Sequence, residues 1–164
     1  MDSLPTLVQE LKEEYLITKK FWEVFPEGKN DYSPHEKSMK MMPLASHIAE
    51  IFGWADFILK TEKLDFAAGD YVPYHHQNKE ELQNKFEEDY QKSLQTLENT
   101  TEEEMTGGWK MTMGDHVIAD YTKYSAIRHA LNQITHHRAQ LGVYYRLNNI
   151  PLPGSYGPSA DENF

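Results

Sequence analysis

Residues 122–147, TKYSAIRHALNQITHHRAQLGVYYRL, decide the fold, because their apolar side chains recur with the period of a helix. Thr122 can cap its start, and the pattern holds to about Leu147. With His137 set at zero and about 100° per residue, Ala130, Leu141 and Tyr144 fall within about 40° of it and Ile134 at about 60°. His137 therefore sits in the middle of the apolar face, while His136 lies about 100° away on a flank. Gln133, one turn earlier, is about 40° off the same line, so the two side chains can converge on one point. His129 is roughly 12 Å from His137 along the axis, too far to share an ion with it. Arg138 and Gln140 could supply hydrogen bonds around His137 or line the seam between helices.

Three more helical patterns precede this one. Leu4, Leu7, Val8, Leu11, Tyr15, Thr18 and Trp22 form a stripe, with Ser3 or Asp2 as its cap, Pro5 in its first turn and Pro26 closing it. GKNDYSPHEKS (28–38) is polar and turn-rich, a loop. A second helix is expected from Pro43 to about Leu59, with His47 inside the apolar stripe of Leu44, Ile48, Ile51, Ala55 and Ile58. Residues 60–77 read as a long irregular crossover. Asn78 to Glu81 has a capping-box pattern and opens a third helix carrying Leu82, Phe86, Tyr90, Leu94 and Leu97. TTEEEMTGG reads as a turn, and WKMTMGDHVIADY as a small β-hairpin about Gly114-Asp115. The tail, NNIPLPGSYGPSADENF, holds three of the eight prolines and two glycines, so it cannot be helical; its apolar residues suggest an ordered flap. The expected architecture is all-α: one domain, 1–164, built as an antiparallel four-helix bundle with a long crossover between helices two and three.

Composition narrows the function. The 164 residues carry 16 basic and 26 acidic side chains, a net charge of −10, which would repel nucleic acid and anionic lipid. There is no cysteine, so thiolate ligands and a protein thiol nucleophile are excluded, and any thiol must come with a substrate. MDSLPTLVQELKEEYL is acidic and amphipathic, unlike a secretory signal, and no apolar run approaches membrane-spanning length; a soluble, cytoplasmic protein is the expectation. Glycine-rich phosphate loops, nucleophile elbows and HExxH are absent. Two inward histidines on two helices, His47 and His137, are a modest signal for a metal; buried neutral imidazoles satisfied by a carbonyl or a tyrosine would give the same pattern. His35, His75, His76 and His116 fall in loops or the hairpin, where exposure is expected.

PLASHIAEIFGWADF, HHRAQLGVYYRL and the ending IPLPGSYGPSADE resemble the DinB-like family of four-helix-bundle proteins, the DinB/YfiT-type group, over nearly the whole chain. The resemblance implies a bundle with a crossover between helices two and three, often a homodimer, holding nickel or zinc on three histidines. Carried over, those positions are His47, Gln133 and His137. Glutamine at 133 is a departure, because an uncharged amide oxygen is a weak ligand for either ion. The resemblance further implies a metal-dependent enzyme acting on a small molecule: a transferase that uses a low-molecular-weight thiol, or a hydrolase. The departure at 133 points instead to a non-catalytic bundle with a degenerate metal site that binds a small ligand in a stress response.

Overall fold

The computed structural model describes residues 2–162; Met1, Asn163 and Phe164, which the single-domain reading includes, lie outside the described residues. Helix α1 spans Leu4–Glu23, with Pro5 in its first turn. Its N-terminus is not capped by its own flank: the Ser3 hydroxyl donates to Glu102 Oε2 (2.6 Å), and Glu102 Oε1 accepts the Leu4 amide (2.7 Å). A carboxylate from elsewhere in the chain thus meets the positive end of the helix.

The second expected helix is two: α2, Met41–Ile51, and α3, Trp54–Lys60. Apolar periodicity runs straight through the junction at Phe52-Gly53, so the break has no signal in the pattern. Its local cause is packing against the next helix, α4 (Lys79–Glu98). A Cβ at Gly53 would lie 3.0 Å from Asp89 Cγ on α4, so glycine makes room for the buried Asp89 side chain against this junction. Asn78 caps α4 as expected, accepting the Glu81 amide at 2.9 Å. The stretch read as a turn contains a short helix, α5 (Glu102–Met105), held by a capping box from Thr101 to Glu104. Helix α6, Lys123–Leu147, starts at Thr122, which shares reciprocal hydrogen bonds with Ser125.

The hairpin is present as β2 (Gly108–Met113) and β3 (His116–Thr122), turning at Gly114 with φ 59°. A third strand, β1 (Lys63–Asp65), comes from the crossover and pairs parallel to β2, with Lys63 opposite Lys110. Three residues are too few to show a period, so this strand could not be read beforehand.

Contacts along the seams give the helix directions. Lys12 reaches Glu98 and Lys79 reaches the Glu23 carbonyl, so α1 and α4 are antiparallel. Glu10 meets Arg128 and the Tyr145 hydroxyl donates to the Phe21 carbonyl, so α1 and α6 run parallel. Tyr144 bonds the Met39 carbonyl and Lys123 the Leu59 carbonyl, which sets α6 antiparallel to α2–α3. Gly53 beside Asp89 and the Asp56 amide on Ser93 Oγ make α3 and α4 parallel. The order is up, down, down, up, so the expected antiparallel bundle is antiparallel across only two of its four seams. A long crossover is what allows α3 and α4 to point the same way. The core between the rods is aromatic: Trp22, Phe52 and Phe86 are buried, and Tyr15 stacks on Tyr90 with centroids 3.8 Å apart.

The tail folds back as an ordered flap over α1 and α6. Leu152 packs where a Cβ on Gly142 would be 3.2 Å from it, Arg146 pairs with Asp161 at 2.8 Å, and the Tyr156 hydroxyl donates to Glu14 Oε1 at 2.6 Å.

Candidate metal centre

Position 47 faces α6 from the middle of α2 because Leu44, Ile48 and Ile51 bury the same side of that helix. Position 137 faces back from α6 between the buried Ile134 and Leu141. Their rings meet: the centroids of His47 and His137 are 4.7 Å apart, at an interplanar angle of 73°. Two imidazoles bound at about 2.1 Å to one tetrahedral ion would place their centroids on the order of 5 Å apart, so the spacing suits a shared ion.

What fixes each ring is a partner on its Nδ1. His47 Nδ1 lies 2.5 Å from Glu50 Oε1. A carboxylate only accepts, so Nδ1 carries a proton, and in the neutral ring Nε2 is the nitrogen with the lone pair. Glu50 is itself buried, at 5% exposure, and held on every side. The Tyr71 hydroxyl donates to its Oε1, and the Tyr74 amide to its Oε2 at 3.2 Å. Burial and the Glu50 carboxylate both push the Tyr71 phenol well above its ordinary range, so Tyr71 stays a donor. On the other helix, His137 Nδ1 donates to Gln140 Oε1 at 2.9 Å, again leaving Nε2 free. Burial, first of all, lowers the pKa of His137 and favours the neutral ring that a cation would need. A ring nitrogen tied to a carboxylate or amide oxygen while the other is free is the usual setting of a metal-ligating histidine.

Gln133 lies one turn away, and its Nε2 faces His129 Nε2 at 3.4 Å, which leaves its Oε1 as the atom it can offer. His129 in turn stacks on Tyr121. Among the described residues no group of three or more histidine, aspartate or glutamate side chains is arranged to hold a metal ion. The donors the geometry brings together are therefore two oriented imidazoles, a pair that fits a divalent ion with open positions and modest affinity. The contact of the Gln133 amide is with His129.

Arg138 does not brace His137. Its guanidinium, 2% exposed, turns toward α1. There it lies 2.6 Å from Glu14 Oε2, an ion-pair contact without hydrogen-bond alignment, and donates to Thr18 Oγ1 at 2.9 Å and to the Tyr156 hydroxyl at 2.9 Å. The adjacent position on a helix points about 100° away, so of its two expected places Arg138 takes the seam between helices. His76 also departs from expectation: it is half-buried, and its Nδ1 lies 2.8 Å from the hydroxyl of the buried Ser46. Burial lowers its pKa.

Glu50 was missed in the sequence. The available signal was its isolation: it is the one acidic side chain in MMPLASHIAEI, three residues after His47 and on the same face. Tyr71 and Tyr74 could not be placed, because the crossover has no periodicity to orient them.

Beyond Glu50, between α3, α4 and the crossover, is a cavity of about 460 Å³ whose wall includes Glu50, Trp54 and Tyr71. A larger one, about 650 Å³, lies at the far end of the bundle beside Lys60, Asn99 and Lys123, away from the histidines. No helix among the described residues is long and apolar enough to cross a membrane.

The chain is thus an up-down-down-up helical bundle in which two half-buried histidines face each other between α2 and α6. The chain belongs to the DinB family, whose model matches residues 1–162. Among solved structures it is similar to the DinB-like protein YjoA of Bacillus subtilis (18% identity, 97% of this chain and 99% of that one, TM-score 0.69). It is also similar to a DinB-like protein of Bacillus cereus (16%, 92% and 95%, TM-score 0.69). A third is YfiT of Bacillus subtilis (14%, 90% and 88%, TM-score 0.67), described as a probable metal-dependent hydrolase with an unusual four-helix bundle topology. No curated protein matches the chain.

Proposed function

We propose that the protein is a metal-dependent enzyme of the hydrolase or thiol-transferase kind, acting on a small molecule, with nickel or zinc held by His47 and His137 and more weakly by Gln133. The observation that carries this reading is the meeting of the two rings, each with its Nδ1 already engaged. The description of YfiT as a probable metal-dependent hydrolase supports it. When bound, such an ion makes a thiol or water a better nucleophile at neutral pH. The chain's own part is to aim the ligands. Glu50 holds the proton on His47 Nδ1, Tyr71 and the Tyr74 amide hold Glu50, and Gln140 turns His137. Because the chain has no cysteine, a transferred thiol would be a co-substrate. We place the protein in the cytoplasm and, by its family, in a homodimer.

One observation favours a second reading, a ligand-binding bundle without turnover: a glutamine stands where a third strong ligand is needed. Elemental analysis of untagged protein after incubation with nickel or zinc separates the two. The enzyme reading expects about one ion per chain, lost in His47→Ala and His137→Ala with the helical circular dichroism unchanged. No bound ion in metal-replete protein leaves the binder.

A further inference from the structure

The cavity behind Glu50 has a chemistry of its own. Its walls carry the rings of Trp54, Tyr71, Tyr74 and Trp109. The charged side chains among its lining residues are all acidic: Glu50, Asp70 and Asp89, with neither lysine nor arginine. The Lys85 ammonium stands at its edge, 2.7 Å from Asp89 Oδ1 and 4.3 Å from the centroid of the Tyr74 ring. Lys85 thus displays in the chain itself what these walls accept: a cation set between an aromatic face and a carboxylate. Lys85 offsets one of the three carboxylates, leaving an excess of negative charge around an aromatic space.

We propose that this cavity is a binding site for a small organic cation, an ammonium group carried on an apolar or aromatic body. The rings attract the cation through their quadrupoles, and the carboxylates of the exposed Asp70 and the buried Glu50 add their charge. An anion of the same size meets carboxylates and is rejected. A neutral isostere keeps the apolar contact but loses the charge. The site rests on the cavity and not on the ion between His47 and His137, so the two readings stand or fall separately.

Calorimetric titration of metal-free protein with benzyltrimethylammonium tests the site. The neutral 2,2-dimethyl-3-phenylpropan-1-ol and benzylsulfonate serve as comparison ligands. The expected result is one cation per chain, with the neutral compound at least about tenfold weaker and the anion without measurable heat. Tyr74→Leu and Asp70→Asn, both at exposed positions of the crossover, should each weaken the cation about three- to tenfold. Because the protein carries no metal in this titration, binding of the cation shows the cavity acting apart from the centre at His47 and His137. Equal binding of cation and neutral compound, no binding of the cation, or indifference to both crossover substitutions would overturn the proposal.

Discussion

Glu50 sets the tautomer of His47, and with it the atom that this histidine can offer. Glu50→Gln keeps the shape but removes the charge and the certainty of which ring nitrogen is protonated. Competition against a chelator should then show ion affinity reduced about 10- to 100-fold, with helicity intact; unchanged affinity would mean that Glu50 is only packing. Position 133 tests the opposite direction. Gln133→His exchanges a weak amide ligand for an imidazole one turn from His137, and zinc or nickel should bind at least about tenfold more tightly in the same assay. No gain would mean that residue 133 points past the centre. Both histidines were legible in the sequence, since each interrupts an apolar stripe at a position that must face inward. Glu50 was not, because a charged residue beside a stripe normally faces solvent, and only its burial by the crossover makes it a bracket for His47.

The crossover is the element least legible in advance and most involved in the site. Residues 60–77 show no period, yet they supply a parallel strand, the two tyrosines on Glu50 and the half-buried His76 on Ser46. By contrast α1, α4 and α6 follow long apolar stripes, the last two with side-chain caps, and their extents were plain to within a few residues. The α2–α3 break was hidden because its cause, the approach of Gly53 to Asp89, is a long-range contact. His76 gives the crossover a pH dependence. Lys85, Glu81 and Glu50 face it, and burial is the largest influence, holding its pKa below the ordinary histidine value. Well above about pH 6.5 both folded and unfolded chains carry it neutral and stability is unaffected. As the pH falls further, the unfolded chain binds the proton first, so stability declines until the folded His76 is also charged. Protection of the amides at residues 70–77, taken relative to their intrinsic exchange rate at each pH, should therefore fall between about pH 7 and pH 5 in the wild type and less in His76→Asn. An equal response in both would remove His76 as the cause.

At the scale of the whole molecule, the first helix, the last helix and the tail are joined through one buried pair of charges. Arg138 on α6, Glu14 on α1 and Tyr156 on the tail share a network in which the Tyr156 hydroxyl accepts from Arg138 and donates to Glu14. Because α1 and α6 run parallel, with no short loop between them, this network ties the first rod to the last. Arg138 and Glu14 are 2% and 5% exposed, so neither charge can turn to water if the other is removed. Arg138→Met should cost about 3–5 kcal/mol in urea unfolding, because it strands the Glu14 carboxylate. The double substitution Glu14→Leu with Arg138→Met should recover most of that loss, since no buried charge remains. Tyr156→Phe should cost about 1 kcal/mol and speed exchange along the tail without disturbing the rods. If the single and double substitutions at 14 and 138 are equally destabilised, the Glu14 carboxylate is reached by water. The tail would then be a cover laid over the seam, and the packing of α1 on α6 would have to come from its apolar contacts, such as Phe21 against Tyr145.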